Sequence, residues 1–429
     1  MSGLSPAARA YVRAHVANVL GRPADAAVLG SDLEAGIFRE LSRTPEVETL
    51  VRDAWGNWDF SFGESNLRGR LYQPWLDRPL AALREKLAAE HPGRPSEPLW
   101  PEGKPFAVCL THDVDFITLQ PSMVHSLRTM ARNTRLLLSP DGRAAAAGTL
   151  RGLAVAACQI ATLQVLRPRR ERTYDEWLKL EDRYGFKSTF FYAPETVSAP
   201  HIYDCLYGYD DPAVFDGRRM KVRDMMREMA RAGWDIGLHG SYHSALRGGL
   251  LAEQRRVVED ALGRPVTATR QHWLHYDVRV TPRLQSDAGL RADSTQGFNR
   301  NVGFRAGTSF PYACWDFERE AELPVLEVPQ HVMDGALFTA NALEYDVELA
   351  VRHCVQLLDE VQAVGGCLTL SWHPNGIQVP KYWAVYETVL AEAARRGAWG
   401  CSVGDLHRWW TERAGRIAAS SPVMDHPSS

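Results

Sequence analysis

The stretch FAVCLTHDVDF, residues 106–116, is apolar for five residues and then carries a threonine, a histidine and two aspartates. A run of strand length without polar alternation is the pattern of a β-strand buried on both faces, as in a parallel sheet. Ionisable groups at the C-terminal end of such a strand lie on the face where parallel barrels carry their active sites.

Downstream, from residue 173, one unit recurs: an amphipathic stretch of helical period, a glycine, then a short apolar run. YDEWLKLEDRY ends at Gly185 before FKSTFFY, VRDMMREMARA at Gly233 before WDIGLH, and AEQRRVVEDAL at Gly263 before PVTATR. RLQSDA passes Gly289 into LRADS, VELAVRHCVQLLDEVQAV stops at Gly365 and Gly366 before CLTLSW, and VYETVLAEAARR stops at Gly397 before AWGCSV. Glycine suits these places because the residue after a helix commonly needs a left-handed backbone. With FAVCL, the pattern predicts seven parallel strands in an α/β barrel or doubly wound sheet.

Upstream, residues 1–100 read as a mostly helical extension with a tryptophan-rich middle, DAWGNWDF and YQPWL, and end in the proline-rich HPGRPSEPLWPEGKP. Residues 126–172 interrupt the core pattern with nine arginines against Asp141 and Glu171, and enclose the uncharged fifteen-residue run GLAVAACQIATLQVL. That run is shorter than the roughly 20 residues needed to cross a bilayer. It reads as a helical lid packed over the barrel, or as a basic amphipathic surface resting on anionic lipid. Residues 416–429 read as a disordered tail.

The chain has 429 residues, 45% hydrophobic and 24% charged, with a formal net charge of -3. This is a globular composition with no global positive charge to recruit nucleic acid. The seven cysteines are scattered, odd in number and never in a Cys-x-x-Cys pair. That argues against a disulfide framework or a thiolate zinc site. The first twenty residues contain no uninterrupted apolar segment followed by a cleavage signature, so the reading is cytoplasmic, with peripheral membrane contact through 126–172 as its variant.

Reading the strand ends in turn gathers His112, Asp113 and Asp115; His239 and His243; Arg270, His272 and His275; Asp293; and His373. Each alone has an ordinary explanation: an aspartate caps a helix, an arginine makes a salt bridge, a histidine is hydrogen-bonded. Together they are the equipment for metal-assisted hydrolysis. Two imidazoles four apart share a face if a helical turn follows the strand, and a carboxylate from a neighbouring strand completes three ligands, leaving positions open for water and substrate. A second carboxylate two residues away suits a general base, and a histidine from a distant strand a general acid.

These runs resemble the motifs of the polysaccharide deacetylases of the NodB homology type, carbohydrate esterase family 4. THDVD is similar to the first motif, HGSYH to the His-x-x-x-His second and LSWHP to the Leu-x-x-His-Pro fifth, while TRQHW and ADST occupy the places of the third and fourth. The match spans about 106–405, in order, and departs from the family where Val114 separates aspartates that are usually adjacent. The resemblance implies a distorted (β/α)7 barrel over 101–415, with 126–172 inserted after the first strand. It implies Asp115, His239 and His243 as ligands of one divalent metal ion: zinc, with cobalt, nickel or manganese also suited. Asp113 is then the base, His373 the acid, Arg270 the group holding Asp113 ionised and Asp293 the partner of His373.

For the substrate side, Arg305 in VGFRAGTSFPY is read as a grip on a carboxylate or phosphate, Tyr242 and Trp372 as sugar-stacking rings, and His272 as a further substrate contact. Asp334 in HVMDGAL follows a possible strand and stays outside the assigned set. The implied activity is deacetylation of an N-acetylated sugar or glycoconjugate. Alternatives are a hydrolase of another linear or cyclic amide, an inactive sugar-binding homologue, and structural zinc on the histidine pair.

Overall fold

A computed structural model describes residues 3–23, 29–49, 51–53, 55–58, 70–93, 96–117, 173–195, 201 and 203–420, with a few positions scattered between 127 and 157. Most of the arginine-rich insertion and the last nine residues of the tail therefore lie outside the described residues. The strands are β1 (Ala107–Val114), β2 (Thr189–Tyr192), β3 (Pro212–Phe215), β4 (Arg218–Lys221), β5 (Asp235–Gly240), β6 (Ala268–Gln271), β7 (Ala292–Asp293), β8 (Tyr312–Asp316), β9 (Ala321–Glu327), β10 (Val332–Met333), β11 (Cys367–Ser371) and β12 (Trp399–Cys401). The helices are α1 (Pro6–Leu20), α2 (Ser31–Leu41), α3 (Thr44–Glu48), α4 (Asp77–Glu90), α5 (Tyr174–Arg183), α6 (Val222–Arg231), α7 (Leu250–Leu262), α8 (Thr281–Asp287), α9 (Asp334–Phe338), α10 (Val347–Val364), α11 (Pro380–Arg395) and α12 (Val403–Ala419).

All seven expected strands form, as β1, β2, β5, β6, β7, β11 and β12, and every pairing among them is parallel. β1 is buried along its whole length, as an apolar run in a parallel sheet requires. Its neighbour on one side is β11; on the other, β12 covers Ala107–Cys109 and β2 covers Thr111–Val114. Six of the seven predicted helix-ending glycines, Gly185, Gly233, Gly263, Gly289, Gly365 and Gly397, have φ between 72° and 94°, and Gly366 does not have a positive φ.

The parallel sheet runs β10-β11-β1-β2-β5-β6-β7-β9, with β8 antiparallel on β9. β9 and β10, at opposite ends of this order, are consecutive in the chain. The segment Val328–His331 crosses between them, donating from Val328 N–H to Asp293 O (2.7 Å), Gln330 N–H to Gln296 O (3.0 Å) and His331 N–H to Thr369 O (3.1 Å). One stretch of backbone thus ties the two sheet ends together, and the chain forms the expected distorted α/β barrel. The β3–β4 hairpin, β8 and β9 were not anticipated, while β10 is the possible strand read before Asp334. The hairpin does carry its signal in the sequence, since Asp216-Gly217 between two strands favours a tight turn and both residues have positive φ.

The strand period of two sorts β1 into two faces. Phe106, Val108, Leu110 and Val114 join the large core beneath the outer helices, while Ala107 and Cys109 face small interior residues such as Ala268, Ala292 and Cys367. The end of the barrel away from the strand C-termini is filled by α1, α2, α4 and α12, whose Val12, Val16, Ile37, Leu80 and Trp410 belong to that second core.

Candidate active site

Thr111, Asp113 and Asp115 fall on the interior face of β1 and its extension, whereas His112 and Val114 point the other way. His112 is fully buried against α5 and α11, with Nε2 2.7 Å from Glu181 Oε1 and Nδ1 2.8 Å from Trp372 O. Glu181 also accepts hydrogen bonds from Ser188, Trp234 and Tyr386. His112 is thereby committed to joining β1 and β11 from behind.

Arg270, at 0% exposure, fills the barrel interior. Its Nη1 donates to Asp113 Oδ1 (2.8 Å), Thr111 Oγ1 (2.8 Å) and Ser371 Oγ (2.9 Å), and its Nε and Nη2 donate to Ser294 O and Oγ. The guanidinium thus stitches β1, β6, β11 and the Ser294 turn together. Burial alone would raise the Asp113 carboxyl, but the charge of Arg270 and the nearby imidazoles outweigh it and hold the group below the usual carboxylate range.

Asp115 is the centre of the site. Its Oδ1 is 3.4 Å from Nε2 of both His239 and His272, and its Oδ2 is 3.6 Å from Nε2 of His373. Burial opposes its ionisation, yet these imidazoles keep the carboxyl well below the usual range. His239 bears on whether a metal fits. Its Nδ1 lies 3.0 Å from Arg270 O, which fixes the proton on that nitrogen, and its buried Nε2 has no hydrogen-bond partner. An imidazole oriented by a carbonyl, with its other nitrogen aimed at a carboxylate, is prepared for a cation. The Asp115 carboxylate, a ring nitrogen of His272 and Cys205 Sγ also lie within 4.8 Å of one another. The residues present fit a divalent ion.

His373 follows β11. Its Nδ1 is 2.6 Å from Asp334 Oδ1, and its backbone N–H donates to Asp334 Oδ2 at 2.9 Å. Burial lowers its pKa, but Asp334, Asp115 and Asp113 outweigh burial and raise it to about 10. The carboxylate that orients His373 is therefore Asp334, at the start of α9.

Asp293, read from sequence as that partner, lies elsewhere. It is buried on β7 opposite Glu327 of β9 and accepts from Thr295 Oγ1 at 2.5 Å; burial raises both carboxyls. His243 lies in a short 3-10 turn, Tyr242–Ala245, edge-on to His201, and does not line the cleft that holds Asp115. β5 runs on to Gly240, and the 3-10 turn that carries His243 follows it after Ser241. His272, assigned to substrate, is the second imidazole at the carboxylate instead.

Arg305 is also engaged elsewhere. Its Nε and Nη2 grip Glu46 of α3 at 2.9 and 2.8 Å, and Nη1 donates to Gly297 O. Trp372 is fully buried, with Nε1 on Tyr382 O. Tyr242 is stacked between His201 and His275 (4.1 and 4.0 Å), its hydroxyl donating to Trp55 O.

Asp113, Asp115, His239, His272 and His373 open into one cleft of about 380 Å³, walled further by Trp55, Trp273, Asn299, Arg300 and Met333. Trp273 and Leu274 have φ of 60° and 52°, a left-handed backbone that costs non-glycine residues of order 1 kcal/mol or more each. Asn57 and Asn299 each donate to Trp273 O, at 2.9 and 3.0 Å, and hold this strained turn in place. The Trp55 wall comes from the N-terminal extension, a contribution that no local motif signals.

No protein-family model and no curated protein matches the chain. Among solved structures it is similar to a Mycobacterium smegmatis protein assigned to the polysaccharide deacetylases, at 19% identity and a TM-score of 0.44, over 78% of this chain and 99% of the other. It is similar also to a Pseudomonas aeruginosa PAO1 protein of the same assignment (16%, TM-score 0.44, 75% and 96%) and to PuuE allantoinase (15%, TM-score 0.42, 75% and 95%).

Proposed function

We propose that the protein is a metal-dependent hydrolase that removes the N-acetyl group of an N-acetylated sugar or glycoconjugate. The observation that carries the reading is the single cleft in which a carboxylate held ionised by a buried arginine, Asp113, and an imidazole held charged by a carboxylate, His373, flank Asp115 and its two further histidines. The resemblance of the ordered motifs from THDVD to LSWHP to those of the polysaccharide deacetylases supports an acetyl amide as the bond cleaved.

Asp115, His239 and His272 would hold the ion, zinc or another of the first-row divalent ions that suit imidazole and carboxylate. Bound there, it would supply Lewis acidity toward the acyl oxygen and lower the pKa of water toward about 7. Asp113 takes the proton of the attacking water, and Arg270 keeps it ionised until then. His373 delivers its proton to the amine nitrogen as the C–N bond breaks, so that acetate and a neutral amine leave. Asp334 keeps His373 oriented and charged for that step.

The test is acetate release from N-acetyl sugars, nucleotide sugars and lipid-linked sugars by protein reconstituted with metal. Asp113→Asn is expected to retain the metal and lose about 10²- to 10⁴-fold in kcat. Full activity of that variant would remove Asp113 from its role. Amide loss without acetate would redirect the reading to another amide substrate.

A further inference from the structure

The loop after β2 brings a cysteine to Asp115. Cys205 Sγ lies 3.8 Å from Asp115 Oδ1 and, with a nitrogen of His272, completes a group of three donor atoms within 4.8 Å. The loop is anchored on both sides of it: Asp204 Oδ1 accepts from Tyr242 N–H at 2.8 Å, and Tyr207 Oη accepts from Ala193 N–H at 2.7 Å. Independently, the buried and unpartnered Nε2 of His239 points at the same carboxylate oxygen. Cys205 is half-buried, whereas the other described cysteines are fully buried.

We propose that Cys205 is a fourth protein ligand of the metal centre, which makes it a thiolate–imidazole–carboxylate site. This rests on the proposed metal-dependent reading and narrows it. On binding, the thiol gives its proton to solvent and the sulfur supplies a soft donor beside two imidazoles and one carboxylate. Such a set prefers zinc and cobalt to magnesium and manganese. Four protein donors saturate a tetrahedral ion, so water or substrate enters by expansion to five ligands or by release of the thiolate. The sequence argued against a thiolate site because its cysteines are scattered; the barrel assembles one from single residues on separate elements.

The experiment is a titration of the metal-free full chain with cobalt(II), followed by absorption spectroscopy. The expected result is one equivalent bound, with visible d–d bands and a near-ultraviolet thiolate-to-cobalt charge-transfer band. Cys205→Ser should keep the d–d bands, lose the charge-transfer band and bind cobalt about tenfold or more weakly. Iodoacetamide labelling of the wild type, mapped to Cys205 by mass spectrometry, should slow several-fold when zinc is added, whether or not the serine variant folds. Cobalt bound with d–d bands but neither charge transfer nor protection would overturn the role of Cys205 and leave the metal site standing. Failure of cobalt and zinc to bind at all would overturn both.

Discussion

Val114 explains the spacing of the two aspartates. On a strand, residues two apart share a face, so Asp-Val-Asp sends both carboxylates toward the barrel interior while Val114 and His112 stay in the outer core. An adjacent pair on the same strand would point one carboxylate inward and bury the other among helices. Asp334 is the residue-scale test of the acid: Asp334→Asn should lower kcat on the order of 10²-fold with KM and metal content nearly unchanged, since it touches His373 and no proposed ligand. Parallel rises in KM and loss of metal would mean that Asp334 only supports the fold. Asp113, Arg270, Asp115, His239 and His373 were legible because each stands at the end of a recognisable strand. His272 was read as a substrate contact, since nothing local reveals that the Gln271–Leu274 turn brings its Nε2 to 3.4 Å from Asp115. Asp334 was read as following a possible strand and left outside the assigned set; β10, which presents it, is two residues long and gives little pattern to read.

At the scale of elements, the helix-ending glycines made the βα rhythm readable, and the parallel strands followed from it. The N-terminal attachments were not readable, because they join residues more than two hundred positions apart. Arg305 and Arg43 both converge on Glu46, at 2% exposure. Burial would raise the Glu46 carboxyl, and the two guanidinium groups together hold it below its ordinary range. Glu46→Gln leaves two buried cations short of their counter-charge, so it should destabilise the protein by about 3–5 kcal/mol in urea unfolding. The cobalt stoichiometry of the folded fraction should not change, because neither arginine lines the cleft that holds Asp115. A change below about 1 kcal/mol would mean that the triad is solvated in solution.

At the scale of the molecule, the N-terminal helices are a wall of the barrel's own core. Tyr11 of α1 donates to Ala313 O at 2.6 Å, Asp77 of α4 accepts from Thr308 and Ser309, and Arg413 of α12 reaches Asn18 of α1. Within that wall His15 is buried, with an unpartnered Nε2, and burial lowers its pKa to about 4. Below pH 6.5 the unfolded chain takes up a proton that folded His15 refuses until about pH 4, so acid costs stability across that window. Measured against His15→Gln, the wild type should lose on the order of 3 kcal/mol of unfolding free energy between pH 7 and pH 4. A pH-independent difference would mean that His15 titrates in the fold as it does in the unfolded chain. Among the described residues no helix is long and apolar enough to cross a membrane.

Val328–His331 also sets a dimension. Four residues reach at most roughly 14 Å fully extended, and this segment joins β9 beside Asp293 to β10 beside β11, from which Met333, Gly335 and His373 reach the cleft. It acts as a calliper: inserting residues there would let the rim open between the β9 and β10 ends, moving Met333 and Gly335 of the cleft wall, while β11 stays paired with β1 and keeps His373 beside Asp115. Relatives of this barrel could therefore diverge in the bulk of the substrate they admit by lengthening one strap of backbone, with the chemistry kept intact.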